Sequence, residues 1–134
     1  MKKRILSIIL AVVMVVGMIP ISTLTAFAAD SVSYIDRTWD DAKKAVVSVE
    51  KTAEHATAIT AGTTTLAGGW YYVNGNVEIS SAVTVSGTAD NPTRIILKDG
   101  AGLYVENGII VESDKKLCIY GQAKDDGTLT AGNT

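Results

Sequence analysis

The chain has 134 residues, with 12 basic and 14 acidic side chains, one cysteine and one histidine. A single cysteine excludes an internal disulfide framework. The mild acidity argues against nucleic acid or an anionic lipid surface as a partner.

Residues 1–29 carry the pattern of an export signal. Lys2, Lys3 and Arg4 form a charged start, Ile5 to Ile21 is apolar apart from Ser7, Gly17 and Pro20, and Ala26-Phe27-Ala28-Ala29 offers small residues around a cleavage point. The rival reading is a retained anchor. The apolar stretch sits at the short edge of the roughly 17–25 residues a bilayer needs, and Pro20 with the small-residue site favours cleavage. Cleavage before Asp30 leaves 105 residues with nine basic and 14 acidic side chains, a net charge of −5. The product is expected to be secreted or wall-associated, with no membrane attachment after cleavage.

Residues 30–61 are the least regular and are expected to form an N-terminal cap. Val32-Ser33-Tyr34-Ile35 alternates like a strand. Beyond it, Trp39, Ala42, Val46, Val49, Ala53 and Ala56 recur at intervals of three and four, one face of a helix. The β-branched run Val46-Val47-Ser48-Val49 points instead to a strand, with Asp40 to Lys44 as a hairpin loop. Periodicity alone favours the helix.

From Gly62 onward short strand cores follow one another between Gly, Asn and Asp turns. Tyr71/Val73, Val77/Ile79, Val83/Val85, Ile95/Leu97, Leu103/Val105, Ile109/Val111, Leu117/Ile119 and Leu129/Ala131 each place two side chains two residues apart, the period of a strand with one buried face. Val77 to Leu103 to Leu129 steps by 26 residues each time, Val83 to Ile109 by 26, and Ile95 to Leu117 by 22. A recurring interval of this size predicts stacked coils. Three strands per coil describe a short right-handed parallel β-helix-like solenoid over 62–134 with a cap before it. An antiparallel β-sandwich is the alternative, since seven or eight short strands with frequent turns also suit that class. The run Thr128 to Thr134 reads as one strand into a new coil with no capping repeat, as expected of a fragment of a longer chain.

The residues between the pairs point outward: Tyr72, Glu78, Thr84, Ile96, Tyr104, Ile110, Cys118 and Thr130. Ile96 and Cys118 are expected one coil apart on one outer face, an apolar stripe that calls for cover by the 30–61 segment. Trp70, Tyr72 and Tyr104 are the candidate carbohydrate-binding residues, because aromatic rings stack on sugars while their polar tips bond hydroxyls. The competing role for Trp70 and one tyrosine is to fill the end of the core.

No catalytic residues are expected. Asp99, Glu106, Glu112, Asp114, Asp125 and Asp126 are scattered and mostly in turns, whereas polysaccharide cleavage needs carboxylates gathered on one face. Asp125-Asp126-Gly127 suits a solvated turn better than a calcium loop, which needs six or more oxygens. Cys118 behaves as a small hydrophobe. There is no zinc spacing, no phosphate loop and no Ser/His/Asp set, so no metal or cofactor is expected.

The stretch GTTTLAGGWYYVNGNVEIS (Gly62 to Ser80), followed by AVTVSG, RIILKDGAGLYVENGIIVES and LCIYGQ, resembles a group of exported surface proteins of Gram-positive gut bacteria. Those share a pattern of the type "GWYVV-G-VTI...VTVSG...LIL-DG--L....GI-V.....L-IYGQ......L-A". They are often labelled carbohydrate-binding and usually continue into Gly-rich repeats. The resemblance spans roughly Val32 to Ala131 and is strongest from Trp70 to Gln122. It implies strands rather than helix before the Trp motif, with a turn around Trp39-Asp40-Asp41, and so a hairpin over 32–50. The export signal, the repeated strand pairs and the empty catalytic inventory together predict a non-catalytic exported scaffold or adhesin-like module, with glycans or host and cell-surface components as its candidate partners. A carbohydrate-binding module is the second reading. A pectate-lyase-type enzyme is the third.

Overall fold

The computed structural model describes residues 30–132, so the export signal expected at 1–29 lies outside the described residues. The described chain is all-β and contains no helix. No helix among these residues is long and apolar enough to cross a membrane.

The chain begins with a long antiparallel hairpin, β1 (Asp30–Asp40) and β2 (Ala45–Ala58). The reversal falls at Asp41 to Lys44, where Asp40 Oδ1 accepts the amides of Ala42 and Lys43 at 3.0 and 3.1 Å. A short carboxylate bonding the backbone ahead of it is what makes Asp a turn residue. The helical spacing across 38–56 is therefore not realised, and the hairpin runs on to Ala58. A bulge explains the last step of the misleading pattern, while its earlier members Trp39, Val46 and Val49 are exposed. Asp30 pairs with Ala56 while Val32 pairs with Ala53, and His55 takes a positive φ of 60°. The extra residue turns a spacing of two into three, so Ala53 and Ala56 both face inward from one strand.

Nine short strands follow: β3 (Thr65–Leu66), β4 (Gly69–Val73), β5 (Asn76–Ile79), β6 (Val83–Val85), β7 (Thr93–Leu97), β8 (Gly102–Val105), β9 (Ile109–Val111), β10 (Leu117–Tyr120) and β11 (Thr128–Ala131). They visit three sheets in strict rotation. The sheets have the orders β1-β2-β4-β7-β10, β11-β8-β5 and β3-β6-β9. Every ladder among β3 to β11 is parallel. The 26-residue interval is real register: Val77 pairs with Leu103, Leu103 with Leu129, and Val83 with Ile109. Glycines at positive φ sit in the turns that keep the interval, Gly75, Gly100 and Gly108 among them.

The 22-residue step is corrected. Ile95 aligns with Tyr71 and Ile119, and Leu117 aligns with Thr93. Thr93 is an inward position that an apolar pattern passes over. It is fully buried because its hydroxyl reaches the carbonyls of Leu66 and Ala67 at 3.2 and 2.9 Å and accepts the Gly87 amide at 3.1 Å. A buried hydroxyl is tolerated when its bonding capacity is met in this way.

Two cores result. The larger lies between the three sheets and gathers Val73, Ile79, Val83, Ile95, Leu97, Leu103 and Val105, with Leu66 joining from β3 and Ile59 from just beyond β2. At the opposite end β9, β10 and β11 are the last strands of their sheets, and Val111 and Ile119 are exposed. The smaller core lies between the hairpin and the outer face of β4-β7-β10. Val32, Tyr34, Ala53 and Ala56 close over Ile96, which is 0 % exposed. The 30–61 segment thus covers the outer face, but the stripe differs from the expected one. Ile96 aligns with Tyr72 and Tyr120, and Cys118 aligns with Arg94.

The hairpin is held at both ends of the stack. On one side Thr57 and Ala58 pair with Tyr71 and Tyr72, occupying the free edge of β4. On the other, the Ile35 amide bonds the Gly121 carbonyl at 2.9 Å, Gln122 Nε2 donates to the Ser33 carbonyl at 2.9 Å, and Arg37 pairs with Asp125 at 3.0 Å.

Candidate functional site

Trp70 and Tyr72 are brought together on the outer face of β4, beneath the hairpin. Trp70 lies 4.6 Å from Tyr34 and 5.5 Å from Tyr120 between ring centroids, and Tyr34 meets Tyr120 at 4.9 Å. The Arg94 guanidinium stands 5.2 Å from the Trp70 ring centre. Three mutually tilted rings with a cation against one of them form a packed joint. Desolvation pushes the Tyr120 phenol up, the cost of ionising a group inside such a joint. Tyr72 donates its hydroxyl hydrogen to the Asp30 carboxylate at the start of β1. That bond, above all, holds the Tyr72 phenol above its ordinary range. Lys98 stands 5.7 Å from the Tyr72 ring centre.

Tyr104 belongs to another sheet. It lies on β8, in the middle of β5-β8-β11, and is 41 % exposed. The parallel register sets two rows across that face: Asn76, Gly102 and Thr128, then Glu78, Tyr104 and Thr130. Inner positions Val77, Ile79, Leu103 and Val105 face the core, so these six residues face outward. They line an open groove of about 220 Å³ together with edges of Val77 and Leu103.

Gly102 makes the floor of the groove. A methyl group there would stand 2.9 Å from Asn76 Oδ1 and 3.4 Å from Thr128 Oγ1. The two polar atoms lean over the gap that the absent side chain leaves. Tyr104 walls one end of it. Among the described residues no hydrogen bond engages the side chains of Asn76, Glu78, Tyr104, Thr128 or Thr130.

Alternation along the strands places Glu78, Tyr104 and Thr130 outward from sequence alone. The row of Asn76, Gly102 and Thr128 is missed there, although it repeats at the same 26-residue interval. Among the described residues, no three His, Cys, Asp or Glu side chains gather as a metal site.

No family model, curated protein or solved structure matches this chain.

Proposed function

We propose that the chain is a non-catalytic exported surface module whose body is a short right-handed parallel β-solenoid, with the hairpin as its cap. The observation that carries this reading is the strict rotation of β3 to β11 through three sheets with parallel register. Val77 and Leu103 as direct parallel neighbours support this reading over an antiparallel sandwich. Each layer stacks its inner pair on the next, and repetition of that kind suits display or spacing. The test is to express the full chain in a Gram-positive host and fractionate the cells. The processed chain is expected in the medium or on the surface, and release of no product from acidic polysaccharides with calcium present. Retention of an unprocessed chain inside the cell, or product release, overturns the reading.

The second reading is a carbohydrate-binding module, favoured by the groove around Tyr104. An exposed aromatic ring flanked by polar donors and acceptors is the usual composition of a sugar subsite. Trp70 and Tyr72 support the hairpin in this reading rather than the ligand. Glycan-array binding that disappears in Tyr104→Ala is expected, and binding indifferent to that change removes the groove from consideration.

A further inference from the structure

We infer that the groove on β5-β8-β11 takes saccharides bearing free amino groups in preference to neutral ones, and excludes acidic ones. The inference rests on the carbohydrate-binding reading and names its ligand class.

The argument is one of charge. Of the residues that line the groove, only Glu78 is charged. Among the described residues Glu78 takes part in no ion pair. No Lys, Arg or His lines the groove to neutralise it. The other polar groups are an amide, a phenol and two threonine hydroxyls, which bond sugar hydroxyls as donors or acceptors without preference for charge. Tyr104 offers its ring to the apolar face of a pyranose, and Asn76 and Thr128, which lean over Gly102, offer their polar atoms to its hydroxyls.

Glu78 aligns with Tyr104 in the register, so its carboxylate stands beside the ring on which a sugar would rest. An ammonium substituent there forms a charge-assisted hydrogen bond, stronger than the bond a neutral hydroxyl makes. An N-acetyl group at the same place gives the carboxylate only an amide N–H. A uronate brings a second negative charge with no cation to offset the repulsion.

The experiment is calorimetric titration of the processed chain with three oligomers of equal length: glucosamine, N-acetylglucosamine and galacturonic acid. The glucosamine oligomer is expected to bind about three- to fivefold more tightly than its N-acetylated counterpart, the size of an exposed ion pair. The galacturonic acid oligomer is expected not to bind. Glu78→Gln should bring the first two to equal affinity, and Tyr104→Ala should weaken both about tenfold. Glu112→Gln, an exposed acid outside the groove, should change nothing. Equal affinity for both glucosamine forms in the wild type and in Glu78→Gln would overturn the amino preference and leave the carbohydrate reading standing. Glucosamine binding untouched by both groove variants would mean adhesion to the acidic surface, and overturns the inference. Failure of all three oligomers to bind overturns the carbohydrate reading itself.

Discussion

Ile96→Ala tests the joint between hairpin and stack. Ile96 is 0 % exposed and is the one buried residue of the stack in the smaller core, where it meets Val32, Tyr34, Ala53 and Ala56. Truncation removes roughly three methylene equivalents, about 2.4 kcal/mol at about 0.8 kcal/mol each. The cavity left behind raises the total to about 3–4 kcal/mol, because β7 is fixed by ladders on both sides and cannot collapse into the space. That is a large part of the roughly 5–15 kcal/mol by which a domain of this size is stable. Urea denaturation measures the loss, and native-state hydrogen exchange locates it. The amides of β1 and β2 should lose protection before those of β7, since the variant loosens the hairpin first. Ile110→Ala, at a position 47 % exposed, is the control and should cost little. If Ile96→Ala costs no more than Ile110→Ala, the hairpin is not docked on this face and the two-core description fails.

Thr93→Val should destabilise by about 1–3 kcal/mol in urea denaturation, because it leaves the buried Gly87 amide without its acceptor while keeping the side-chain shape. Gly87→Ala should also be costly in the same assay, since its Cβ would stand 2.2 Å from the Thr93 nitrogen. For Tyr72, the bond to Asp30 raises the folded-state pKa, so its contribution is complete below the ordinary tyrosine value of about 10 and is lost as pH rises through the higher folded value. The stability gap between wild type and Tyr72→Phe should therefore hold steady up to about pH 10 and narrow above it, measured by denaturation at each pH. Trp39 is 58 % exposed while Trp70 is packed among rings, so Trp39→Phe should leave blue-shifted fluorescence that acrylamide quenches poorly. Trp70→Phe should leave the opposite.

Much of the stack is legible in the sequence because its pattern is local. Val77, Leu103 and Leu129 announce their register through equal spacing, and glycine turns keep that spacing constant. The pattern fails where polar chemistry replaces apolar burial. Thr93 lies inward because carbonyls and an amide satisfy it, and an eye trained on apolar pairs shifts the β7–β10 ladder by two residues. It fails again at the His55 bulge, where one inserted residue imitates one step of a helical period. The candidate aromatics divide for a different reason. Outward alternation is correct for Trp70, Tyr72 and Tyr104 alike, but what lies above each depends on where the hairpin lands, which no short-range pattern encodes. The groove is half legible: Glu78, Tyr104 and Thr130 follow from alternation, while Gly102 matters only once Asn76 and Thr128 are seen leaning over it.

The clasp between β1 and the turn after β10 carries a consequence for the order of assembly. Gln122 reaches Ser33, and Arg37 meets Asp125, across separations of 89 and 88 residues. The hairpin is the first part of the described chain to leave the ribosome, and it forms from its own neighbouring strands. Its landing surface is the last to exist, because β10 completes it. The hairpin therefore waits, with Val32 and Tyr34 exposed, until nearly the whole chain has followed. Long-separation closure of this kind is slow. The earliest element of the described chain is thus its last to dock, and anything that stops synthesis before Gln122 leaves that apolar face uncovered.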